Sequence, residues 1–557
     1  MPYLLLATFL LVIFTYFTVA IPSSCHCLPN EVCWPDSQTW QKFNESVGGQ
    51  LLASNISTDC SGSKNQSSGS GCSKITDPYW QGVQGAFPVF AVNATGSSDI
   101  QQAVSFAAKH NLRLIVKNTG HDFLGRSTAP GSLCIWTQHL TNISFHDKFN
   151  PEGCSSNHTE TSAVTVGAGV RLFTLYKAAS ERGLDVVGGA DPSVGAAGGF
   201  VQGGGHGPLS PKYGLSADNV LQYTVVTADG KLRVANECQN QDIFWALRGG
   251  GGGTYGVVVS ATFKTYKAVS SVIGAVYSVN ATDNAAFNDL LKEFIKAHPA
   301  WSEAGWSGYA FITGDRTMAI IYLLPGGNLT FANESFASFE SFAKNHQGLV
   351  IDGFTQQFPS FFAWYRNFLC LGNTPGCDNP FFVCSNNPWC AIINGTSSTM
   401  GSRLIPMELF KTESGINQLS SATSQIHTGA IIHLVAGGRV AQKRDDEVAV
   451  NPAWRKALWH LVFSIGWNEN ATLEEKKSTG KEVTNLTKVF RDITPGSGCY
   501  TNEADPHEPD WQEAYFGSNY PRLKKIKRQV DPSGLFTCLK CVGSEDWSDD
   551  LNCRKNS

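Results

Sequence analysis

Apolar and polar positions follow a helical period in some segments and form short apolar runs in others. Between residues 97 and 111 the apolar side chains recur every three or four positions, which predicts an amphipathic helix capped at Ser98 or nearby. The apolar run at 112–116 follows directly and predicts a strand. The same kind of pattern returns as a predicted strand at 163–167 and a predicted helix at 171–183.

The next part of the chain favours strands and glycine-rich loops. Residues 221–235 predict a hairpin that turns on Asp229 and Gly230, because Asp-Gly is a strong signal for a two-residue turn. Residues 242–266 predict a short helix, a glycine loop and a long strand. These segments indicate an α+β fold in which glycine loops converge from several strand ends.

From about residue 270 to 490 the chain is richer in aromatic residues and has fewer glycine breaks, which indicates a second domain. Residues 429–441 predict a strand in this region. The segment 515–536 predicts a short helix stopped by Pro532, with Asp531 before it.

Length and charge point to a globular protein with a small-molecule partner. The 557 residues allow one large split fold or two to three domains. Lys and Arg number 42 against 46 Asp and Glu, for a formal net charge of −4. With no long basic run, neither a nucleic-acid surface nor a polybasic membrane patch is indicated.

The first twenty residues indicate export. Residues 1–20 are apolar and end in small residues, which predicts a signal peptide cleaved after Ala20, with an uncleaved anchor as the alternative. The predicted mature protein is secreted and has no membrane contact. Twelve sequons predict N-glycans, at Asn44, Asn55, Asn65, Asn93, Asn142, Asn157, Asn280, Asn328, Asn333, Asn394, Asn470 and Asn485.

Sixteen cysteines agree with an oxidising compartment. Cys370, Cys377, Cys384 and Cys390 are separated by six, six and five intervening residues. This spacing lacks the paired C-x-x-C of zinc sites, so disulfides are favoured and no metal site is predicted. The motif at 538–541 lacks the strand–helix context of a redox pair and is interpreted as a structural disulfide.

The glycine loops and one histidine supply the candidate chemistry. Backbone N–H groups of glycines can approach an anion closely, and two or three such loops suggest a diphosphate. The loops at 203–207 and 249–256 match the dinucleotide fingerprint poorly, and no P-loop Lys-Ser/Thr motif is present. His121 lies on a loop after a strand, where a neutral imidazole could bond to an electrophilic cofactor carbon, or could be a solvated bystander.

Four motifs in order resemble the vanillyl-alcohol oxidase superfamily in its berberine-bridge-enzyme-like branch. The segment 117–127 resembles the flavin-tethering loop, and 189–207 the second loop of the family. The segment 242–258 resembles D-x-F-W-A-x-R-G-G-G-G-x-F-G, and 515–536 the C-terminal family motif. The resemblance covers about residues 83 to 540.

The resemblance implies a two-subdomain FAD-binding domain of the p-cresol methylhydroxylase (PCMH) type and a mixed α/β substrate domain with a large antiparallel sheet. It implies FAD bonded through its 8α-methyl carbon to His121, with non-covalent FAD as the alternative. The expected division is a signal peptide (1–20), a glycosylated Cys/Ser-rich segment (21–80), the FAD domain (81–268), the substrate domain (269–494), a return to the FAD domain (495–545) and a tail (546–557).

The family motifs carry over to individual cofactor-binding residues. These are Lys117, Asn118, Thr119, Gly120, His121, Asp122, Gly125, Ser127, Gly189, Asp191, Ser193, Gly195, Gly198, Gly199, Gly256, Val257, Asn502 and Asn519. Asp191 stands where branch members with a second, cysteinyl flavin bond have Cys, so a single attachment is expected. Gly189 matches a position where a small residue leaves oxygen access to the flavin, which favours an oxidase.

The C-terminal segment 499–511 supplies the candidate catalytic group. It resembles the family's Y-x-N-Y-x-D segment, with Tyr500 on the tyrosine that is the base in several members. A tyrosine is a poor base unless its pKa is lowered, so Tyr500 could instead be a core residue. Glu503 and Asp505 could pair with surface cations. His433 could line the site or be a satisfied core histidine.

The expected function is a secreted FAD oxidase that passes hydride from an alcohol or natural product to the flavin and then to O2, giving hydrogen peroxide. The alternatives are a flavin dehydrogenase, an oxidative cyclase of secondary metabolism that uses another acceptor, or a non-catalytic glycoprotein. Carbohydrate oxidation is a further possibility, although such members usually carry the cysteinyl bond that Asp191 replaces. The expected partners are therefore a small-molecule substrate and O2.

Overall fold

The computed structural model describes residues 25–53, 88–155, 161–370, 397–468 and 471–555. The predicted signal peptide and the Ser- and Gly-rich segment 61–73 lie outside these residues. So do some of the predicted disulfide and glycan positions, namely Cys60, Cys72, Cys377, Cys384, Cys390, Asn55, Asn65, Asn157, Asn394 and Asn470. Among the described residues, no helix is both long and apolar enough to cross a bilayer.

A four-stranded sheet opens the fold. Its order is β1-β2-β4-β3, with β4 parallel to both β2 and β3. The elements of this region are α1 (Ser37–Ser46), β1 (Leu51–Ala53), β2 (Phe90–Asn93), α2 (Ser97–Lys109), β3 (Leu114–Lys117) and β4 (Leu133–Trp136). The predicted helix and strand at 97–116 are confirmed. The N-cap of α2 is Gly96, because the Asp99 carboxylate accepts its N–H at 3.2 Å.

A five-stranded antiparallel sheet follows, in the order β5-β6-β10-β8-β9. The helices and strands of this region, including two strands outside that sheet, are β5 (Ile143–Phe149), β6 (Thr161–Gly167), α3 (Leu172–Ser180), β7 (Leu184–Asp185), α4 (Ser210–Tyr213), β8 (Val220–Val226), β9 (Leu232–Asn236), α5 (Gln241–Ala246), β10 (Val257–Lys264) and β11 (Tyr266–Lys267). The predicted hairpin is confirmed as β8 and β9. Gly230 adopts φ +72° at its turn, which explains the Asp-Gly pair.

A seven-stranded antiparallel sheet, in the order β15-β12-β14-β13-β17-β18-β16, lies between residues 272 and 467. Its strands are β12 (Val272–Ala281), β13 (Ser307–Ile312), β14 (Thr317–Pro325), β15 (Leu349–Phe358), β16 (Ser397–Pro406), β17 (Ala430–Leu434) and β18 (Ala457–Trp467). The helices of this region are α6 (Asn284–Ala304), α7 (Leu329–Asn345), α8 (Phe361–Phe368), α9 (Glu413–Thr423), α10 (Gly438–Ala441) and α11 (Leu473–Ile493). Buried residues of the sheet and of α6, α7, α9 and α11 form one apolar core.

The predicted strand at 429–441 is wrong in its second half. β17 ends at Leu434, and the short helix α10 begins at Gly438. Gly437 and Gly438 adopt φ values of +76° and +46°, a left-handed backbone that turns the chain out of the sheet. The predicted mixture of helices and strands with a large antiparallel sheet is otherwise confirmed.

The C-terminal segment packs back onto the glycine loops. It contains α12 (Trp511–Phe516) and α13 (Tyr520–Val530), and α13 ends before Pro532 as predicted. The buried ammonium group of Lys527 donates to Asp531 Oδ2 at 2.6 Å, to the carbonyl of Thr254 at 2.7 Å and to that of Phe536 at 2.6 Å. One side chain therefore ties the tail to the loop before β10.

Four disulfides join described cysteines, and they agree with the predicted oxidising compartment. They are Cys25–Cys553, Cys27–Cys33, Cys154–Cys238 and Cys538–Cys541. The last confirms that the motif at 538–541 forms a disulfide. Cys25–Cys553 links the two ends of the described chain, across 528 residues of sequence.

Candidate active site

The loop after β3 is held by the side chain of Asn118. Its Nδ2 donates to Thr137 Oγ1 at 3.0 Å and to the carbonyl of Ala168 at 2.6 Å, while its Oδ1 accepts the N–H of Thr119 at 2.9 Å. The carbonyl of Asn118 also accepts the indole N–H of Trp136 at 3.0 Å. Because its polar groups are used within the protein, Asn118 is a rigid support for the residues that follow it.

Two glycines of the second loop are required by that support. A Cβ on Gly195 would lie 1.9 Å from Asn118 Oδ1, and a Cβ on Gly198 would lie 2.7 Å from Asn118 Cγ. The N–H of Gly195 also donates to Thr119 Oγ1 at 3.2 Å. The loops 117–127 and 189–207 are therefore in direct contact, and glycine permits that contact.

His121 lies at the edge of this contact and is part of a hydrogen-bonded triad. Its Nε2 is 2.7 Å from Ser193 Oγ, and the Ser193 hydroxyl donates to Asp191 Oδ1 at 2.7 Å. The Ser193 N–H donates to the same carboxylate oxygen at 2.8 Å. The side chains of His121 and Asp191 are 22% and 31% exposed, so the imidazole is open on one side. The ring is oriented yet accessible, as an attachment site requires.

A second chain of contacts runs from the first loop to the C-terminal segment. Asp122 forms a partly buried ion pair with Arg126, whose Nη2 donates to Asn502 Oδ1 at 3.1 Å. Asn502 Nδ2 donates to the carbonyl of Gly199 at 3.0 Å and to the hydroxyl of Tyr500 at 2.7 Å. Predicted site residues from three distant segments therefore meet here.

The glycine loop at 249–253 packs against the second loop (189–207). Gly249, Gly251 and Gly253 adopt φ values of +135°, +96° and +67°. A Cβ on Gly252 would lie 2.8 Å from the Cα of Gly199. Such Cβ-free backbones, brought together from separate loops, fit the close approach of a diphosphate such as that of FAD.

The other predicted cofactor residues lie around these loops. Lys117 Nζ is 5.8 Å from the centre of the Trp136 ring, and Asn519 donates to the carbonyl of Val450 at 2.9 Å. Gly256 and the buried Val257 lie at the start of β10, where a Cβ on Gly256 would be 2.5 Å from the carbonyl oxygen of Val226. The remaining residues of the first loop are Gly120, Gly125 and Ser127, with φ values of +89° and +77° for the two glycines. Their contacts with a cofactor stay predictions.

Tyr500 is buried in this region and is fully hydrogen-bonded. Its hydroxyl donates to the carbonyl of Phe200 at 3.0 Å and accepts from Asn502. Burial and the negative charge of Glu503 raise the pKa of Tyr500 well above its ordinary value. In this arrangement the phenol stays protonated.

Beside Tyr500 lies a cluster that sequence reasoning only partly anticipated, formed by His206, His433, His460 and Glu503. The three histidines are buried, and their ring centres are 4.7–5.0 Å apart. Burial and the neighbouring His206 lower the pKa values of His433 and His460 well below their ordinary range.

The sequence singled out His433 and Glu503 separately, whereas the structure places them in one cluster. The proposed surface pairing of Glu503 and Asp505 is wrong, because Asp505 is 1% exposed and Glu503 faces the histidines. His206 stands in the segment GGGHG. Its position on a glycine loop was the signal that could have added it to the candidate residues.

Comparisons with known proteins identify the family. A family described as "FAD binding domain" matches residues 88–236, and one described as "Berberine and berberine like" matches 499–540. An uncharacterized FAD-linked oxidoreductase of Arthroderma benhamiae is 37% identical over 95% of this chain and 96% of its own. An FAD-linked oxidoreductase of Aspergillus clavatus is 33% identical over 94% of this chain and 93% of its own.

Solved structures agree. A VAO-type flavoprotein of Myceliophthora thermophila C1 superposes with a TM-score of 0.83 at 27% identity, covering 96% of this chain and all of that one. A glucooligosaccharide oxidase of Acremonium strictum, whose FAD is described as 6-S-cysteinyl and 8α-N1-histidyl, shares the fold at 20% identity and a TM-score of 0.68, over 90% of this chain and 99% of its own. The chain therefore belongs to the vanillyl-alcohol oxidase superfamily, in its berberine-bridge-enzyme-like branch, and is an FAD-linked oxidoreductase.

Proposed function

We propose that the protein is a secreted oxidase with FAD attached through His121, which oxidises an alcohol or a natural product. The observation that carries the proposal is the placement of His121 at the open edge of the joined glycine loops, within a chain whose relatives are FAD-linked oxidoreductases. When bound, FAD would accept a hydride from the substrate and pass the electrons to O2, yielding hydrogen peroxide.

The triad determines which nitrogen of His121 would form the bond. Because Ser193 donates its hydroxyl proton to Asp191, its oxygen can only accept from the imidazole. The proton of His121 is then on Nε2, which leaves the lone pair of Nδ1 for bonding. Asp191 and Ser193 are therefore positioning residues for attachment through Nδ1.

Asp191 also supports attachment of FAD through a single bond. Asp191 stands where relatives with two flavin bonds place a cysteine. Its carboxylate, which accepts from Ser193, has no sulfur atom with which to form a thioether. The Acremonium strictum oxidase carries both a cysteinyl and a histidyl bond. This chain would have only the second, so carbohydrate oxidation is less favoured than oxidation of an alcohol or a natural product.

Gly189 supports O2 as the acceptor. Tyr176 donates to its carbonyl at 2.9 Å, and a Cβ on Gly189 would lie 2.9 Å from the Phe200 ring. A larger residue at this position would therefore require the Phe200 ring to move. Slow reoxidation in air with fast reduction of a quinone would instead assign the protein to the dehydrogenases.

Tyr500 is the proposed catalytic residue, and its protonated hydroxyl would orient the oxygen of the substrate by hydrogen bonding. Its bonds to Phe200 and Asn502 hold the hydroxyl at one place beside the second loop. The predicted signal peptide, the sequons and the four described disulfides support the proposal of secretion with N-glycans.

Acid precipitation tests the attachment. We expect the wild-type flavin to stay with the protein pellet and the flavin of His121→Ala to be released completely. Peptide-bound flavin in His121→Ala would contradict the single attachment. Peroxide-coupled screening of alcohols and natural products then tests the oxidase activity on the same preparation.

A further inference from the structure

The cluster of His206, His433, His460 and Glu503 is assembled by the fold from four separate segments. His433 on β17 and His460 on β18 are directly paired neighbours in the antiparallel register. His206 lies near the end of the glycine-rich loop 189–207, and Glu503 follows Tyr500 and Asn502. The seven-stranded sheet, the FAD-binding loops and the C-terminal segment thus each contribute at least one group.

Glu503 lies at the distance of a fellow metal ligand from two of the three histidines. Glu503 Oε2 is 3.5 Å from His206 Nε2 and 3.6 Å from His460 Nδ1, and His433 Nδ1 is 3.0 Å from His460 Nδ1. Ligands 2.0–2.2 Å from a tetrahedral zinc ion are about 3.3–3.6 Å apart, from simple tetrahedral geometry. One ligand atom from each of the four residues lies within 4.8 Å of all the others.

The carboxylate of Glu503 is only partly satisfied by the described residues. Its Oε2 is buried and has no hydrogen-bond partner among the described residues. The two contacts to the histidines are too long or too poorly aligned to count as hydrogen bonds. A buried carboxylate oxygen without a donor is costly, and a cation between it and three imidazoles would remove that cost.

We propose that His206, His433, His460 and Glu503 bind one divalent transition-metal ion, zinc being the ion that this N3O ligand set and tetrahedral spacing fit. Imidazole and carboxylate are both established zinc ligands. Glu503 is 20% exposed, which leaves an entry side for the ion. The ion joins the sheet, the loops and the C-terminal segment beside Tyr500, independently of what substrate is oxidised.

The ring nitrogens of His206 and His460 that would not contact the ion indicate how tightly zinc should bind. With His206 ligating through Nε2 and His460 through Nδ1, their protonated nitrogens are buried without a hydrogen-bond partner among the described residues. Loss of such outer partners weakens metal sites by about tenfold to a hundredfold. Zinc should therefore bind reversibly, and titration is a better assay than retention through purification.

The test is zinc titration of the flavin-containing, secreted protein after dialysis against metal-free buffer. Isothermal titration calorimetry and elemental analysis should give about one zinc ion per chain for the wild type. Glu503→Gln, which keeps the shape of the side chain, and His433→Asn should weaken binding at least about tenfold. His427→Gln is the matched control, because His427 pairs with Glu482 at 2.9 Å on the surface, away from the cluster.

Flavin absorbance of every sample reports folding separately from metal binding. Wild-type-like flavin content with lost zinc binding in Glu503→Gln and His433→Asn supports the site. A wild type that takes up no zinc, or two variants that bind it as the wild type does, overturns the proposal. Neither result depends on the oxidase assay, so failure of the proposed function and failure of the metal site are distinguishable.

Discussion

Ser193→Ala should slow the attachment of FAD to His121 without preventing FAD from binding. The change removes the contact of 2.7 Å to His121 Nε2 and the hydroxyl bond of 2.7 Å to Asp191. Hydrogen bonds that involve a charged group contribute about 1.5–3 kcal/mol. The triad is partly exposed, so we take the lower end, about 1.5 kcal/mol, which corresponds to roughly a tenfold slower attachment.

The assay uses protein produced under riboflavin limitation and then incubated with FAD. Samples are quenched with acid at intervals, and the flavin fluorescence of the protein band is measured after electrophoresis. Ser105→Ala, an exposed serine on α2, is the matched control and should attach FAD at the wild-type rate. Wild-type kinetics in Ser193→Ala would refute the role given to the triad.

Three further predictions concern Gly198 in the second loop, the proposed catalytic residue Tyr500 and the buried carboxyl group of Asp185. Gly198→Ala places a Cβ 2.7 Å from Asn118 Cγ, so it should lower the free energy of unfolding by about 1–3 kcal/mol, measured by thermal denaturation. Tyr500→Phe should lower kcat at least about tenfold with unchanged flavin content, and an unchanged kcat would exclude Tyr500 from the reaction. Burial raises the pKa of Asp185 to about 6. Because this carboxyl holds its proton more tightly in the folded protein than in the unfolded chain, the free energy of unfolding falls as pH rises from about 4 to 6. In Asp185→Asn the free energy of unfolding should fall by up to about 3 kcal/mol less over this pH range. The same dependence of the free energy of unfolding on pH in both proteins would contradict this.

Much of the cofactor region could be predicted from the sequence because it is encoded locally. The helix at 97–111, the strand before the first loop and the turn at Gly230 follow from periodicity and turn chemistry. The glycines at 195 and 198 also have a local signature, although the reason for them lies elsewhere. Only the structure shows that Asn118 occupies the space that their missing side chains leave.

The cluster beside Tyr500 could not be predicted in the same way. His433 and His460 are 27 residues apart and become neighbours only through the register of β17 and β18. Glu503 reaches them because the C-terminal segment returns to the FAD-binding loops. Such contacts depend on tertiary packing, and no spacing in the sequence encodes them.

The strand predicted at 429–441 is longer than the observed β17 for a related reason. The apolar residues after Leu434 are buried, as in a strand, yet they are in a turn and a short helix. Two successive glycines at 437 and 438 were the available signal, since paired glycines commonly mark a turn.

Mass analysis of one peptide tests the central claim most directly. The purified protein is denatured with acid and digested with trypsin, which cleaves after Lys117 and after Arg126 and releases the segment 118–126. We predict that this peptide carries one flavin on His121 and that the acid supernatant is colourless. An unmodified peptide with all the flavin in the supernatant would contradict covalent attachment.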